Sequence, residues 1–376
     1  MLKNIGYFNR FDWVLFGTVM SLVGFGLMAL YSTSLGASDG MGLASATLTA
    51  TSADFSNFWK QVIFASIGMF IALLMPIFNY RLLFGMSRFL YVVSAVLLVA
   101  VLIFGQTVRG TTGWFGIAGF GVQPVEIVKI FLIVYLARFF SQSARDPNKL
   151  KQIIASGAAV AVLAGLVILQ PDFGSALLLI GIWIGMVLMT GVPRSYIIGA
   201  TVLGILVAIF AWSFVLKPYQ QERLAVFLDS ERDPLGRGYN VTQSIIAIGS
   251  GELAGRGLGF GSQSQMRFLP ERQTDFIFAV VAEEMGFVGV FILMTLFSIF
   301  FYRCYMLARG AHDDFTVFLI LGIAISIGIE AFTNMGGNLR MLPVTGVTLP
   351  FLSYGGSSLL SKFLLIGILQ SIAVRR

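Results

Sequence analysis

A chain of 376 residues that is 57% hydrophobic and only 11% charged, with a mean hydropathy of +0.87, carries more apolar surface than a water-soluble core can hide. It reads as an integral membrane protein. The formal charge of +7 needs no nucleic-acid partner, because basic residues of membrane proteins collect at cytoplasmic helix ends. The one cysteine, Cys304, excludes an internal disulfide, and neither a CxxC pair nor a histidine cluster marks a metal site; His312 reads as a surface residue in a polar loop.

Apolar runs long enough to cross about 30 Å of hydrocarbon fall near residues 13 to 32, 58 to 78, 89 to 105, 124 to 140, 153 to 169, 174 to 190, 195 to 216, 276 to 301, 315 to 333 and 356 to 373. They predict an all-α bundle of about ten transmembrane helices, built as one polytopic domain over residues 1–376. The first run follows Lys3 and Arg10 like a signal peptide, yet the spans after it mark it as a retained helix. With the N-terminus inside, the inner short loops and ends hold Arg81, Arg88, Arg138, Lys151, Arg303 and Arg375 among others, whereas the outer short loops hold only Lys60, Arg109 and Arg340. That asymmetry puts both termini in the cytoplasm. The long extracellular loop between spans seven and eight, residues 217–275, adds basic residues outside, but loops of that length translocate regardless of charge.

The outer segments carry the unusual sequence. Leu35 to Asn57 is rich in Ser, Thr, Gly and Ala and reads as a connector. Gly105 to Gln123, with VRGTTGWFGIAGFG, is expected to dip back into the interface beside Trp114 and Phe115 as irregular backbone. The next outer turn is QPDFG, with Asp172 between two spans. Glu126 and Lys129, three residues apart at the start of the fourth span, share a helical face. They serve either as a neutralising pair or as part of a cavity in which the lysine holds a phosphate. Glu330 and Lys362 read as charges paired within the bundle.

In the long loop, Pro218 to Leu228 and Val241 to Ile248 read as short interfacial helices. The following GSGELAGRGLGFGSQSQ lacks both a preceding strand and a closing Gly-Lys-Ser/Thr, so it is no nucleotide loop, and its glycines are expected to let the backbone pass close to the membrane surface or to a substrate. Arg267 to Glu284 then crosses from water into the membrane. Asp275 stands where the apolar run Phe276 to Val281 begins, and either caps that span or does chemistry there; Glu283 and Glu284, deeper, read as structural anchors. Asn334 to Gly356 holds too much Gly and Pro for a span and is expected to fold in turns over the outer mouth, with Arg340 facing the same vestibule as Asp275.

The runs QSIIAIGSGELAGRGLGFGSQSQ, FLPERQTDFIFAVVAEEMGFVG and LPVTGVTLPFLSYGGSS, with QPVEIVK and QPDFG, closely resemble the SEDS family of bacterial cell-wall proteins, represented by RodA and FtsW. The likeness extends over the whole chain in span number and motif order, and LPER before the Asp looks more like RodA. The resemblance implies a peptidoglycan glycosyltransferase of cell elongation and shape, or of division, polymerising lipid II at the outer face of the bacterial plasma membrane. It implies Asp275 as the essential acidic residue, with Glu126 and Lys129 in the substrate cavity. It also implies a class B penicillin-binding protein as partner, alongside other elongation or division complex proteins. Departures from the family pattern are Gln273 where His is common, Gly113 where Arg is common, Arg340 where Gly is usual, and QPVE for QPSE.

The chemistry suits these residues. Joining a sugar hydroxyl to an anomeric carbon that bears a lipid diphosphate needs a base at the hydroxyl and positive charge at the leaving group. Asp275 is the base of this reading, and Lys129, Arg109, Arg223, Arg272 and Arg340 are the groups available to the diphosphate. A divalent cation, Mg or Mn, bridging Asp275 and the diphosphate is the alternative; no other cofactor is called for. An α-linked donor and a β-linked polymer require one displacement with inversion. The competing class is a transporter or flippase of a lipid-linked cell-wall precursor, whose path Glu126, Lys129, Glu330 and Lys362 would line.

Overall fold

The computed structural model describes residues 10–35, 54–108, 110–117, 120–143, 148–193, 195–196, 198–199, 237–266 and 268–376. Arg109, Arg223, the helix expected over 218–228, most of the run 195 to 216 and most of the first outer loop lie outside the described residues. In chain order the elements are α1 (Trp13–Leu35), α2 (Ser56–Leu74, continued by a 3-10 turn at Met75–Ile77), α3 (Leu82–Phe104), β1 (Gln106–Val108), β2 (Thr111–Ile117) and β3 (Phe120–Val122). There follow α4 (Pro124–Ser143), α5 (Lys149–Leu169), α6 (Phe173–Leu188), α7 (Arg237–Ser250), α8 (Ser262–Gln265), α9 (Ile277–Arg309), α10 (Asp314–Asn338) and α11 (Gly356–Val374). Every predicted apolar run within the described residues falls on a helix, and among those residues α1, α2, α3, α5, α9, α10 and α11 are long and apolar enough to cross a membrane.

Burial separates centre from periphery. The apolar window of α11 is 78% buried and that of α10 is 61% buried, against 28% for α2, α3 and α9, so α10 and α11 form the axis of the bundle. The α4 helix packs on both, and on α3. Outward-facing Phe70, Phe89, Ile103 and Phe291 are exposed, as expected of side chains solvated by lipid.

Three expectations are corrected by tertiary contacts. Gly105 to Gln123 is not irregular: it forms an antiparallel sheet of order β1-β2-β3, pairing Gln106 with Trp114 and Phe115 with Val122. Its glycines make room for crossing side chains, since a Cβ on Gly121 would lie 2.9 Å from the Trp114 ring. Second, the glycine-rich stretch after α7 inserts into a break in α9. Gly286 has φ 64° and ψ −162°, and the freed groups are taken up by Arg256 N to Glu283 O (3.0 Å), Gly257 N to Glu284 O (2.9 Å), Phe287 N to Glu252 O (2.9 Å) and Val288 N to Leu253 O (3.1 Å). A Cβ on Gly251 would lie 1.9 Å from Ala282 O, so the close approach is to a helix backbone. Third, Asn334 to Asn338 are the last turn of α10, and the turn-rich segment begins only at Leu339.

Candidate active site

The site begins as a tight turn. Pro270 cannot continue a hydrogen-bonded ladder, and Glu271 adopts a left-handed φ of 52°. Its carbonyl accepts from the N–H groups of Thr274 (3.0 Å), Asp275 (3.1 Å) and Phe276 (3.3 Å). The turn hands the chain to α9, whose N-cap is Phe276 with no side-chain cap bond, so the N-cap position does not fall to Asp275. Three successive carbonyls of the turn are held from outside: Gln273 O by Tyr354 N (2.8 Å), Thr274 O by Ser353 Oγ (2.6 Å), and Asp275 O by Asn334 Nδ2 (3.0 Å) and Asn338 Nδ2 (2.8 Å). The Gln273 side chain ties the turn to α1 and α2, accepting from Asn57 Nδ2 (2.7 Å) and donating to Thr33 Oγ1 (3.2 Å).

Asp275 is half-buried and lines a cavity of about 1150 Å³. Glu126, Lys129 and Arg272 line the same cavity, with Lys60, Asp172, Trp114, Gln123 and Glu330. Opposite Asp275 stands Gly346 at φ 76°, where a Cβ would lie 3.9 Å from Asp275 Oδ2. Burial pushes the Tyr354 phenol above its usual pKa, so this hydroxyl stays protonated as a donor on the wall.

Beneath the cavity Glu126 and Lys129 form half of a closed ring of charge. Lys129 Nζ lies 2.8 Å from Glu126 Oε1 and 2.7 Å from Glu330 Oε1; Lys362 Nζ lies 3.1 Å from Glu126 Oε2 and 2.8 Å from Glu330 Oε2. All four residues are buried, and Ser361 Oγ adds a bond to Glu126 Oε2 at 2.9 Å. The i, i+3 spacing of the first pair was legible in sequence; its closure through α10 and α11 was not.

The basic residues divide. Arg272 donates to the carbonyls of Ser264, Gln265 (3.4 Å) and Thr33 (2.9 Å), so much of its fork is spent on backbone beside the cavity. Arg340 does not line the cavity: it is exposed, at φ 56° just past α10, in the position usually given to glycine. Its expected place in the vestibule is therefore corrected. Lys60, counted in sequence only for orientation, lies on the wall one turn after Asn57 and makes no ion pair among the described residues. The signal available for it was its i, i+3 relation to Asn57. Glu283 accepts from Gln263 N (2.7 Å) and Ser264 N (2.9 Å), and Glu284 from Ser32 Oγ (2.7 Å) and Gln265 Nε2 (2.9 Å), the work of structural anchors. No cluster of three or more His, Cys, Asp or Glu that could hold a metal ion occurs among the described residues.

Comparison with known proteins agrees with this architecture. A family model, FTSW_RODA_SPOVE, described as cell cycle protein, matches residues 12–376. A probable peptidoglycan glycosyltransferase FtsW from Trichlorobacter lovleyi is 37% identical over 369 residues, 97% of this chain and 93% of the relative. The peptidoglycan glycosyltransferase MrdB of Escherichia coli is 36% identical over 328 residues, 87% of this chain and 88% of the relative. Among solved structures, a chain from a study of polymerization and crosslinking by a peptidoglycan synthase complex shares 30% identity at a TM-score of 0.78, covering 96% of this chain and 97% of that one. The rod shape determining protein RodA of Thermus thermophilus shares 26% identity at a TM-score of 0.68, covering 96% of each chain. With nearly the whole chain matched, this protein belongs to the FtsW/RodA/SpoVE family of membrane-embedded cell cycle proteins.

Proposed function

We propose that this chain is a peptidoglycan glycosyltransferase that polymerises lipid II, and the observation that carries the proposal is Asp275, clamped by its backbone on the wall of a cavity floored by charge. The acceptor hydroxyl gives its proton to the Asp275 carboxylate as its oxygen bonds to the donor's anomeric carbon. The bond from that carbon to the diphosphate breaks, and the lipid diphosphate leaves with the electron pair, so configuration inverts in a single displacement. Lys60 and Arg272 on the wall and Lys129 on the floor meet the developing negative charge, with Arg109 and Arg223 supplied from outside the described residues. Glu126 holds Lys129 in place.

The basic asymmetry of the short loops supports a position for Asp275 on the outer face of the plasma membrane, where a lipid-anchored donor presents its sugar. A class B penicillin-binding protein is the expected crosslinking partner, a reading supported by the structural likeness to a chain of a peptidoglycan synthase complex. The four paired charges beneath the cavity favour a closed floor over a flippase path.

The test uses labelled lipid II in detergent micelles, where transport has no meaning, with the crosslinking partner present. Wild type is expected to form glycan chains and Asp275→Asn to lose them by about 100-fold or more. Equal polymer from both would remove Asp275 from the chemistry, and none from wild type would favour the flippase.

A further inference from the structure

The N-terminus of α9 has an unusual arrangement. Phe276 occupies the N-cap and offers no acceptor, yet Ala279, in the first turn, is fully buried and its N–H requires a partner. That partner is Oδ1 of Asn338, 59 residues away on α10, at 3.2 Å. The Nδ2 of the same carboxamide donates to Asp275 O at 2.8 Å and to Asn334 O at 2.8 Å. Asn334, one turn earlier, donates to Asp275 O at 3.0 Å and to Val347 O at 2.8 Å. Both side chains are buried, and together they occupy both lone pairs of the Asp275 carbonyl.

The α10 helix also carries Glu330. Residues 330, 334 and 338 are spaced i, i+4 and i+8, hence on one face, and span about 12 Å of axis at 1.5 Å per residue. One rigid, mostly buried helix therefore holds both a corner of the charged floor and the main chain of the proposed base. We propose that Asn338, with Asn334, is a positioning residue for Asp275: it takes over the capping of α9 and fixes the height of the carboxylate above the ring of Glu126, Lys129, Glu330 and Lys362. This rests on the reading of Asp275 as the base. A misplaced catalytic group costs rate far more than affinity, so the loss falls on kcat.

The two bonds of Asn338 are separable. Asn338→Asp keeps an acceptor for Ala279 N but loses the N–H for Asp275 O and sets a buried carboxylate oxygen against the Asp275 and Asn334 carbonyls. Asn338→Leu has neither group and no charge. Initial rates of glycan formation would be measured against lipid II concentration for the purified full chain with its crosslinking partner, alongside thermal unfolding and the folded fraction. For Asn338→Asp the expected result is a lowered midpoint, because the new carboxylate is buried against two carbonyl oxygens, with kcat per folded molecule down about tenfold or more and KM within about twofold. Asn338→Leu is expected to show the same kcat loss with a lower midpoint.

Wild-type kcat in folded Asn338→Asp, a loss confined to KM, a loss that only follows the folded fraction, or full kcat in folded Asn338→Leu would each overturn the proposal. Failure of the underlying reading looks different: Asp275→Asn then polymerises as wild type does, whatever the Asn338 variants do.

Discussion

Replacing Lys362 by methionine removes one ammonium from the buried ring and leaves Glu126 and Glu330 facing Lys129 alone. In the intact ring each carboxylate touches two ammonium groups, at 2.7 to 3.1 Å, and no side chain in it is more than 9% exposed. Removing one partner of a buried ion pair costs about 3–5 kcal/mol, because the remaining charge is uncompensated rather than because the pair itself is worth so much. Here Lys129 still reaches both carboxylates, which argues for the lower end, about 3 kcal/mol. At about 2 °C per kcal/mol for a chain of this size, the apparent midpoint should fall by roughly 6 °C. The companion variant adds Glu330→Gln, which restores neutrality while keeping an oxygen for Lys129. It should recover about 2 kcal/mol, a coupling the double-mutant cycle measures directly. The assay is thermal unfolding in one detergent at one scan rate, since membrane proteins rarely refold on cooling. A drop below about 1 °C for Lys362→Met, or a double variant as unstable as the two single losses summed, would refute the ring as a cooperative element.

Two further outcomes follow from backbone geometry. Arg340→Gly removes a left-handed non-glycine residue that costs about 1 kcal/mol, partly offset by the lost cation at the C-terminus of α10. The midpoint should rise by about 1–2 °C with polymerisation unchanged; a tenfold loss of activity would return Arg340 to the substrate site. Gly255→Ala puts a methyl 2.2 Å from Glu284 O on a backbone at φ 81°, so it should cost more than about 2 kcal/mol and expose residues 251–266 to limited proteolysis; wild-type protection would contradict the insertion of that stretch into α9.

The legible parts of this protein are those governed by local free energy. Transfer of about 20 apolar residues into hydrocarbon is decided segment by segment, so the runs at 13 to 32, 153 to 169 and 356 to 373 fall within a few residues of α1, α5 and α11. The i, i+3 geometry of Glu126 and Lys129 is equally local, and the position of Asp275 at the start of an apolar run drew it out as a boundary residue. Motif likeness then supplied a chemistry that composition could not.

What the tertiary structure decided are relations between distant residues. Lys129 and Glu330 are 201 positions apart, and Glu126 and Lys362 are 236 apart; only the packing of α4, α10 and α11 turns two plausible pairs into one ring. Glycines at 251 and 255 advertise close approach but not what approaches, and the answer is a break in α9. Arg340 and Arg272 look alike in sequence as cations near the outer mouth, yet one is exposed beyond the cavity and the other is tied to Thr33 O. Asn338 gave no signal, because a carboxamide at the end of an apolar helix has no preference until another chain segment brings it a carbonyl and an N–H. Hydropathy and helical spacing are one-dimensional and readable; the satisfaction of buried polar groups is a pairing problem, and its solution exists only once the helices have packed.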